Sequence, residues 1–217
     1  IDVRNDIAIV GTAGSPHIIT SNSPRFWGTI TSEDDFEIDN SWAGGFRTPV
    51  RFLGGISAPG KTITLGGWDP VCSTAFECDV NASISKNYGG SPFLLKSGTL
   101  GSRNETLTIT SGTNFVYEAA FVATTNIVLE NVSGAKCNAA MSIESGKSID
   151  PESQICLGAN TSLVIPTAGT RVRIARLVVD GVEMPLGNYR SSAYPDWLGG
   201  KGVLSVGPKQ GLVFIVR

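Results

Sequence analysis

Three features of this sequence predict an all-β protein, a single body of short strands joined by tight turns. Charged residues fill only 17% of its 217 positions, while 26 glycines and 11 prolines punctuate it; turn-rich β structure has this composition, and an average globular domain carries more charge. Short runs of alternating apolar and polar residues recur along the chain, bounded by Gly, Pro, Asn or Ser, whose backbone preferences end strands. No segment combines a 3.6-residue apolar period with a cap, the pair of signals that marks a helix. A chain of this length suits one β domain. We expect residues 1–217 to form it, with 1–50 less regular and 51–217 repeat-like up to a closing hairpin.

The strands follow in order. "IDVRNDIAIV" (1–10) opens the chain with short apolar strands, and "RFWGTI" (25–30) holds a fragment of a repeat. In "SEDDFEIDN" (32–40) the alternation sends Phe36 and Ile38 inward and the carboxylates outward. "KTITLGG" (61–67) places Ile63 and Leu65 on one side with Thr62 and Thr64 on the other, and "ETLTITSG" (105–112) does the same with Leu107 and Ile109. "NFVYEAAFVATT" (114–125) is the one window where a helix competes; its β-branched and aromatic residues and its missing cap make it extended. "NIVLEN" (126–131), "AMSIESG" (140–146), "TSLVIP" (161–166), "TRVRIARLVVDG" (170–181), "KGVLSVG" (201–207) and "GLVFIVR" (211–217) complete the set. Such spacing suits the coils of a β-solenoid or the neighbours of a β-sandwich or jelly roll, and periodicity alone does not choose between them.

The cadence of "GGISAPGKTITLGG" (54–67), "PFLLKSGTLGSRNETLTITSG" (92–112) and "VSGAKCNAAMSIESGKSI" (132–149) resembles the autotransporter-associated β-strand repeats of secreted bacterial surface proteins. The pattern that closes such arrays is matched by Leu177, Val179, Gly181, Gly187, Tyr189, Trp197, Gly200, Gly202, Leu204 and Val206. The resemblance spans roughly residues 50–206 and departs from the family in its four cysteines. It implies a right-handed β-helix or related stacked-β body serving as a surface stalk, adhesin or matrix element.

Cysteines and sequons point to an oxidising compartment. Cys72, Cys78, Cys137 and Cys156 allow three pairings, of which 72–78 with 137–156 is the simplest. Asn81, Asn104, Asn131 and Asn160 each open an Asn-x-Ser/Thr acceptor triplet for N-glycosylation. The chain begins at Ile1 with no basic-plus-apolar leader, as a processed secreted form or an excised piece would. Its apolar runs are too short for a membrane-spanning helix. A net charge of −2 without basic clusters excludes the footprint of a nucleic-acid binder.

Candidate chemistry is sparse. Glu33, Asp34, Asp35, Glu37 and Asp39 crowd together and could hold Ca2+, but the spacing is not that of a calcium loop and the alternation reads instead as a solvated strand face. His17 is the only imidazole, so no nucleophile has a second general base to choose from. Glu118, Glu130, Glu144, Asp150 and Glu152 are carboxylates from which a glycosidase pair would have to come, but spacing does not set two of them about 5–10 Å apart. "GGSP" and "LGGKG" lack the Lys-Ser/Thr ending of a phosphate loop and read as turns. Trp27, Trp42, Trp68, Trp197, Tyr88, Tyr189 and Tyr194 could stack on sugar rings if exposed but read as plugs of core ends or turns, with Tyr194 and Trp197 around Pro195 the pair expected to be exposed for carbohydrate contact. The expected function is therefore a secreted, non-enzymatic structural or adhesive protein without a resident cofactor. It would be a protomer that self-associates end to end through its terminal strands. A carbohydrate-binding module or a polysaccharide-degrading enzyme on a β-helix is the alternative.

Overall fold

The computed structural model describes residues 1–10, 16–19, 24–40, 49–67, 73–87, 91–135 and 137–208, and every regular element among them is a β-strand. The strands wind into a β-solenoid of about seven coils, stacked mainly through parallel pairing. This decides between the two architectures that strand spacing left open. The segment "GLVFIVR" lies outside the described residues.

Each coil contributes to three ladders. The first runs through Asp2–Val3, Arg25–Phe26, Val50–Phe52, Thr74–Glu77, the start of Phe93–Leu100, Thr113–Val116, Ala140–Ile143, Ser162–Ile165 and Leu198–Gly200. The second runs through Ile7–Ile9, Ile30–Ser32, the starts of Ile56–Gly66 and Val80–Lys86, the end of Phe93–Leu100, and Ala120–Val122. The third joins His17–Ile19, Phe36–Asp39, the later halves of Ile56–Gly66 and Val80–Lys86, Thr106–Ile109, Asn126–Leu129, Gln154–Leu157 and Arg176–Val179.

Period-2 patterning becomes columns because parallel in-register pairing sets like positions above one another. On the third ladder Phe36, Ile63, Ile84, Leu107, Ile127, Ile155 and Leu177 form one buried column. On the first, Phe26 stacks on Phe52 at 4.8 Å between ring centroids and Phe52 on Phe76 at 5.5 Å; Leu95, Val116 and Ile143 continue that column. Such offset aromatic stacks add to the free energy of burial itself.

The corners are coupled by side chains that accept from the next coil. Asp6, Asp35 and Asp79 each precede an inward residue, and each takes the backbone N–H of a threonine one coil on: Thr29 at 2.7 Å, Thr62 at 2.7 Å and Thr99 at 2.8 Å. Gly28 and Gly54 stand where a Cβ would run into backbone of the coil beneath, so only glycine lets those corners stack.

Two windows of the strand reading are each divided, one at a corner and one at a turn. "TRVRIARLVVDG" divides into Arg171–Ile174 and Arg176–Val179. Its inward residues slip phase between Ile174 and Leu177, because Ala175 turns the corner with its N–H on Ser153 O at 2.9 Å. "NFVYEAAFVATT" is extended as expected, in strands Thr113–Val116 and Ala120–Val122 about a turn at Tyr117.

The far end is closed by antiparallel additions. Val182–Glu183 folds back on Arg176–Val179, and Gly187–Tyr189 runs antiparallel to Val203–Val206, which itself stacks parallel on Arg171–Ile174. Gly181 takes φ of 77° in the first hairpin, and Gly200 takes 88° where a Cβ would meet the backbone of Ile165. These are glycines of the closing pattern seen in the sequence.

Candidate functional site

The acidic segment is dispersed by its own strand. Phe36 and Ile38 point inward, leaving Glu37 and Asp39 outward. Asp35 accepts the Thr62 N–H, Asp34 closes a local turn with Ser32, Glu37 lies 3.3 Å from His17 Nδ1, and Glu33 is exposed. Among the described residues no three His, Cys, Asp or Glu side chains converge as a metal site. Asp150 and Glu152 share Arg103, at 3.8 and 2.8 Å, while Glu118 and Glu130 lie exposed and Glu144 half-buried at the surface.

The cysteines correct the expected bridges. Cys78, Cys137 and Cys156 are free thiols, and Cys72 lies outside the described residues. Cys137 is exposed, whereas Cys156 is half-buried on the outward side of the third ladder, where Gln154 Nε2 donates to its sulfur at 3.2 Å. Stacking thus places the two thiols in different surroundings. Burial, helped by the Asp79 carboxylate, pushes the Cys78 thiol up to about 12, which suppresses its thiolate.

Of the sequons, Asn81, Asn104 and Asn160 are exposed, the last at φ of 58°. Asn131 is half-buried, and both ends of its amide are engaged, with Ala159 O and Ala139 N–H at 2.8 Å each. Tyr194 and Trp197 do not splay outward as expected. With Tyr189 they make a three-ring cluster, centroids 5.1 to 5.8 Å apart, packed on the end of the core. The buried Tyr189 hydroxyl donates to Pro185 O. Trp27 is an exposed surface residue rather than a plug, and Trp42, Trp68 and Tyr88 lie outside the described residues.

Lys86 interrupts an otherwise apolar column, in register between Leu65 and Ile109. It is almost fully buried, its Nζ donates to Asn87 O at 2.9 Å, and desolvation pulls its ammonium down to about 8. Nearby, Asn114 replaces an apolar residue inside the first ladder. Its Oδ1 accepts Phe93 N–H at 2.9 Å, and its Nδ2 faces Gly112 O, Ser111 O and Ala140 O at 2.9, 3.2 and 3.3 Å.

Among the described residues, a concavity with unneutralised charge lies beside the closing strands. It is an open groove of about 440 Å³ lined by Arg171, Arg173, Leu186, Asn188, Ser205 and Pro208, with Gly187, Val206 and Gly207. Alternation on Arg171–Ile174 buries Val172 and Ile174 and turns both arginines outward. Register then aligns Arg173, Ser205 and Asn188 across three strands. Ser205 Oγ lies 2.6 Å from Asn188 Oδ1 and donates to it, leaving the Asn188 amide NH2 directed to no described residue. Sequence reading passed over this site because its arginines are two among many alternating polar positions, and Asn188 and Ser205 come from distant segments. No protein-family model, curated protein or solved structure matches the chain.

Proposed function

We propose that this protein is a secreted, non-enzymatic structural or adhesive element of a cell surface, and that copies of it associate through the first coil into a fibre. The edge of that coil, unpaired among the described residues, carries the reading. Asp2–Val3, Ile7–Ile9 and His17–Ile19 each have a strand partner on one side only among the described residues. Ile7 N–H bonds Thr29 O in the second coil, so the alternating geometry of a parallel strand turns the N–H of Ala8 towards the free edge. Unpaired strand edges recruit further strands. At the opposite end two of the outermost strands, Val182–Glu183 and Gly187–Tyr189, run antiparallel to their neighbours, whereas the first coil presents three parallel strands unpaired on the same side among the described residues, which favours association there. Exposed sequons at Asn81, Asn104 and Asn160 and the resemblance to secreted repeat proteins support an extracellular site.

Ala8→Pro removes the edge donor without touching a bond to the second coil, and Ile7 before it is already extended. Light scattering and negative-stain microscopy of concentrated wild-type protein are expected to show particles growing along one axis, with Ala8→Pro, and a chain lacking residues 1–10, remaining dispersed. Elongated assemblies persisting in both variants would refute association through this edge.

A further inference from the structure

We infer that the groove beside the closing strands is a binding site for an acidic saccharide, with a sugar carboxylate held by Arg171 and Arg173. The inference is independent of association at the first coil, which lies at the other end of the solenoid.

Ion pairing singles these two arginines out among those borne by the strands. Arg25 meets Asp2 at 2.8 Å, Arg51 meets Glu77 at 2.7 Å, and Arg176 meets both Glu183 and Gln154 at 2.8 Å, while Arg103, on a turn, meets Glu152 at 2.8 Å. Arg171 and Arg173 have no such partner among the described residues, and no carboxylate lines the groove between them and Asn188. The chain has 19 acidic residues against 17 basic ones, so this is a local positive field on a mildly acidic protein. Two like charges on one strand, their Cα atoms about 6.6 Å apart by strand geometry, repel each other until an anion lies between them.

The rest of the lining specifies what kind of anion. Guanidinium forks match the planar carboxylate with two parallel hydrogen bonds. The Asn188 NH2, in register beyond Ser205, supplies a neutral donor suited to a hydroxyl. Leu186 and Pro208 add exposed apolar surface against which the C–H face of a sugar ring can rest. The volume, about 440 Å³, falls in the range of small-molecule sites. The polar groups of the site, Arg171, Arg173, Asn188 and Ser205, stand on paired strands, and their direction of reach is set by Val172, Ile174 and Leu204, all fully buried beneath them.

The test is calorimetric titration of the whole chain with trigalacturonate, with the uncharged galactose trimer and with sodium sulfate. Trigalacturonate is expected to bind, more weakly as salt rises, and the neutral trimer not to bind. Arg171→Gln and Arg173→Gln should each weaken binding roughly tenfold and the double variant abolish it, as expected for charge-assisted contacts. Arg176→Gln, outside the groove, should leave it unchanged. Thermal melts of the groove variants should match wild type, because neither arginine side chain bonds to another described residue. Binding that survives the double variant, or equal binding of the neutral trimer, overturns the inference. Sulfate competing as tightly as trigalacturonate reduces the groove to a small-anion site and refutes the saccharide. Particle growth in solution is read separately, so failure of this site and failure of first-coil association are distinguishable.

Discussion

Exchanging Asn114 for aspartate replaces one NH2 group with one oxygen and leaves the shape of the side chain intact. In the native protein that NH2 faces three backbone carbonyls, of Gly112, Ser111 and Ala140, while the other end accepts from Phe93 N–H, all of it buried. The introduced carboxylate keeps the acceptor for Phe93 but turns a negative oxygen onto three carbonyl oxygens. Losing the donor leaves buried acceptors unmatched, a cost of about 1–3 kcal/mol, and the unpaired buried charge brings the total to about 3–5 kcal/mol. Asn114→Ala supplies the comparison: it orphans Phe93 N–H as well, costs about 3 kcal/mol, and adds no charge. The two variants therefore separate by pH. In the Asn114→Asp variant the folded state must hold the new carboxyl neutral, so its pKa rises above the unfolded value of about 3.9. A group raised in the folded state contributes stability that is intact below the unfolded pKa and lost as pH climbs through the folded one. Asn114→Asp should approach wild type near pH 3.5 and fall away by pH 7, with Asn114→Ala shifted by a constant amount. Urea unfolding followed by circular dichroism at several pH values measures this. Hydrogen exchange of Phe93 N–H reports the same corner locally, which matters because solenoids need not unfold in one step. Parallel pH profiles for the two variants would refute the account of Asn114 as a donor clamped between coils.

Two further outcomes follow from titratable groups. Lys86 is held down to about 8 mainly by burial, so between pH 8 and about 10.4 the unfolded chain binds more protons than the folded one; stability rises with pH there, by up to about 3 kcal/mol from this residue, and is constant with respect to it below pH 8. The difference in unfolding free energy between wild type and Lys86→Met, from urea titrations at pH 7.5 and pH 10, should change by about 2 kcal/mol, and an unchanged difference would count against it. Thiol labelling of the native protein should modify exposed Cys137 first, Cys156 next and Cys78 only on unfolding; a peptide map under non-reducing conditions that joins Cys137 to Cys156 would contradict the free-thiol arrangement.

Much of the strand content was legible in the sequence because it is a local property. Alternation alone places Ile63, Leu65, Leu107 and Ile109 inside and Thr62 and Thr64 outside. The closing pattern announced its turns through Gly181 and Gly200, whose left-handed backbone tolerates no side chain easily. What periodicity missed were events at corners and across coils. The phase slip at Ala175 looks like one long strand until Ser153 on the preceding coil takes its N–H. Asp35 reads as solvated charge until Thr62, one coil further on, donates to it. Tyr194 and Trp197 read as projecting because the turn at Pro195 is local, whereas Tyr189, which gathers them in, arrives on a different strand.

By itself, then, the order of residues determined that this chain makes β-strands, which side of each strand is apolar, and where glycine must let it turn, since all three depend on neighbours within a few positions. Only the tertiary structure decided that the strands stack as coils rather than pair as a sandwich, that Lys86 and Asn114 lie inside, that three cysteines stay apart, and that Arg171, Arg173, Asn188 and Ser205 share one groove. Those outcomes depend on register between segments roughly fifteen to thirty residues apart, and a strand ladder carries that information in space, not along the chain.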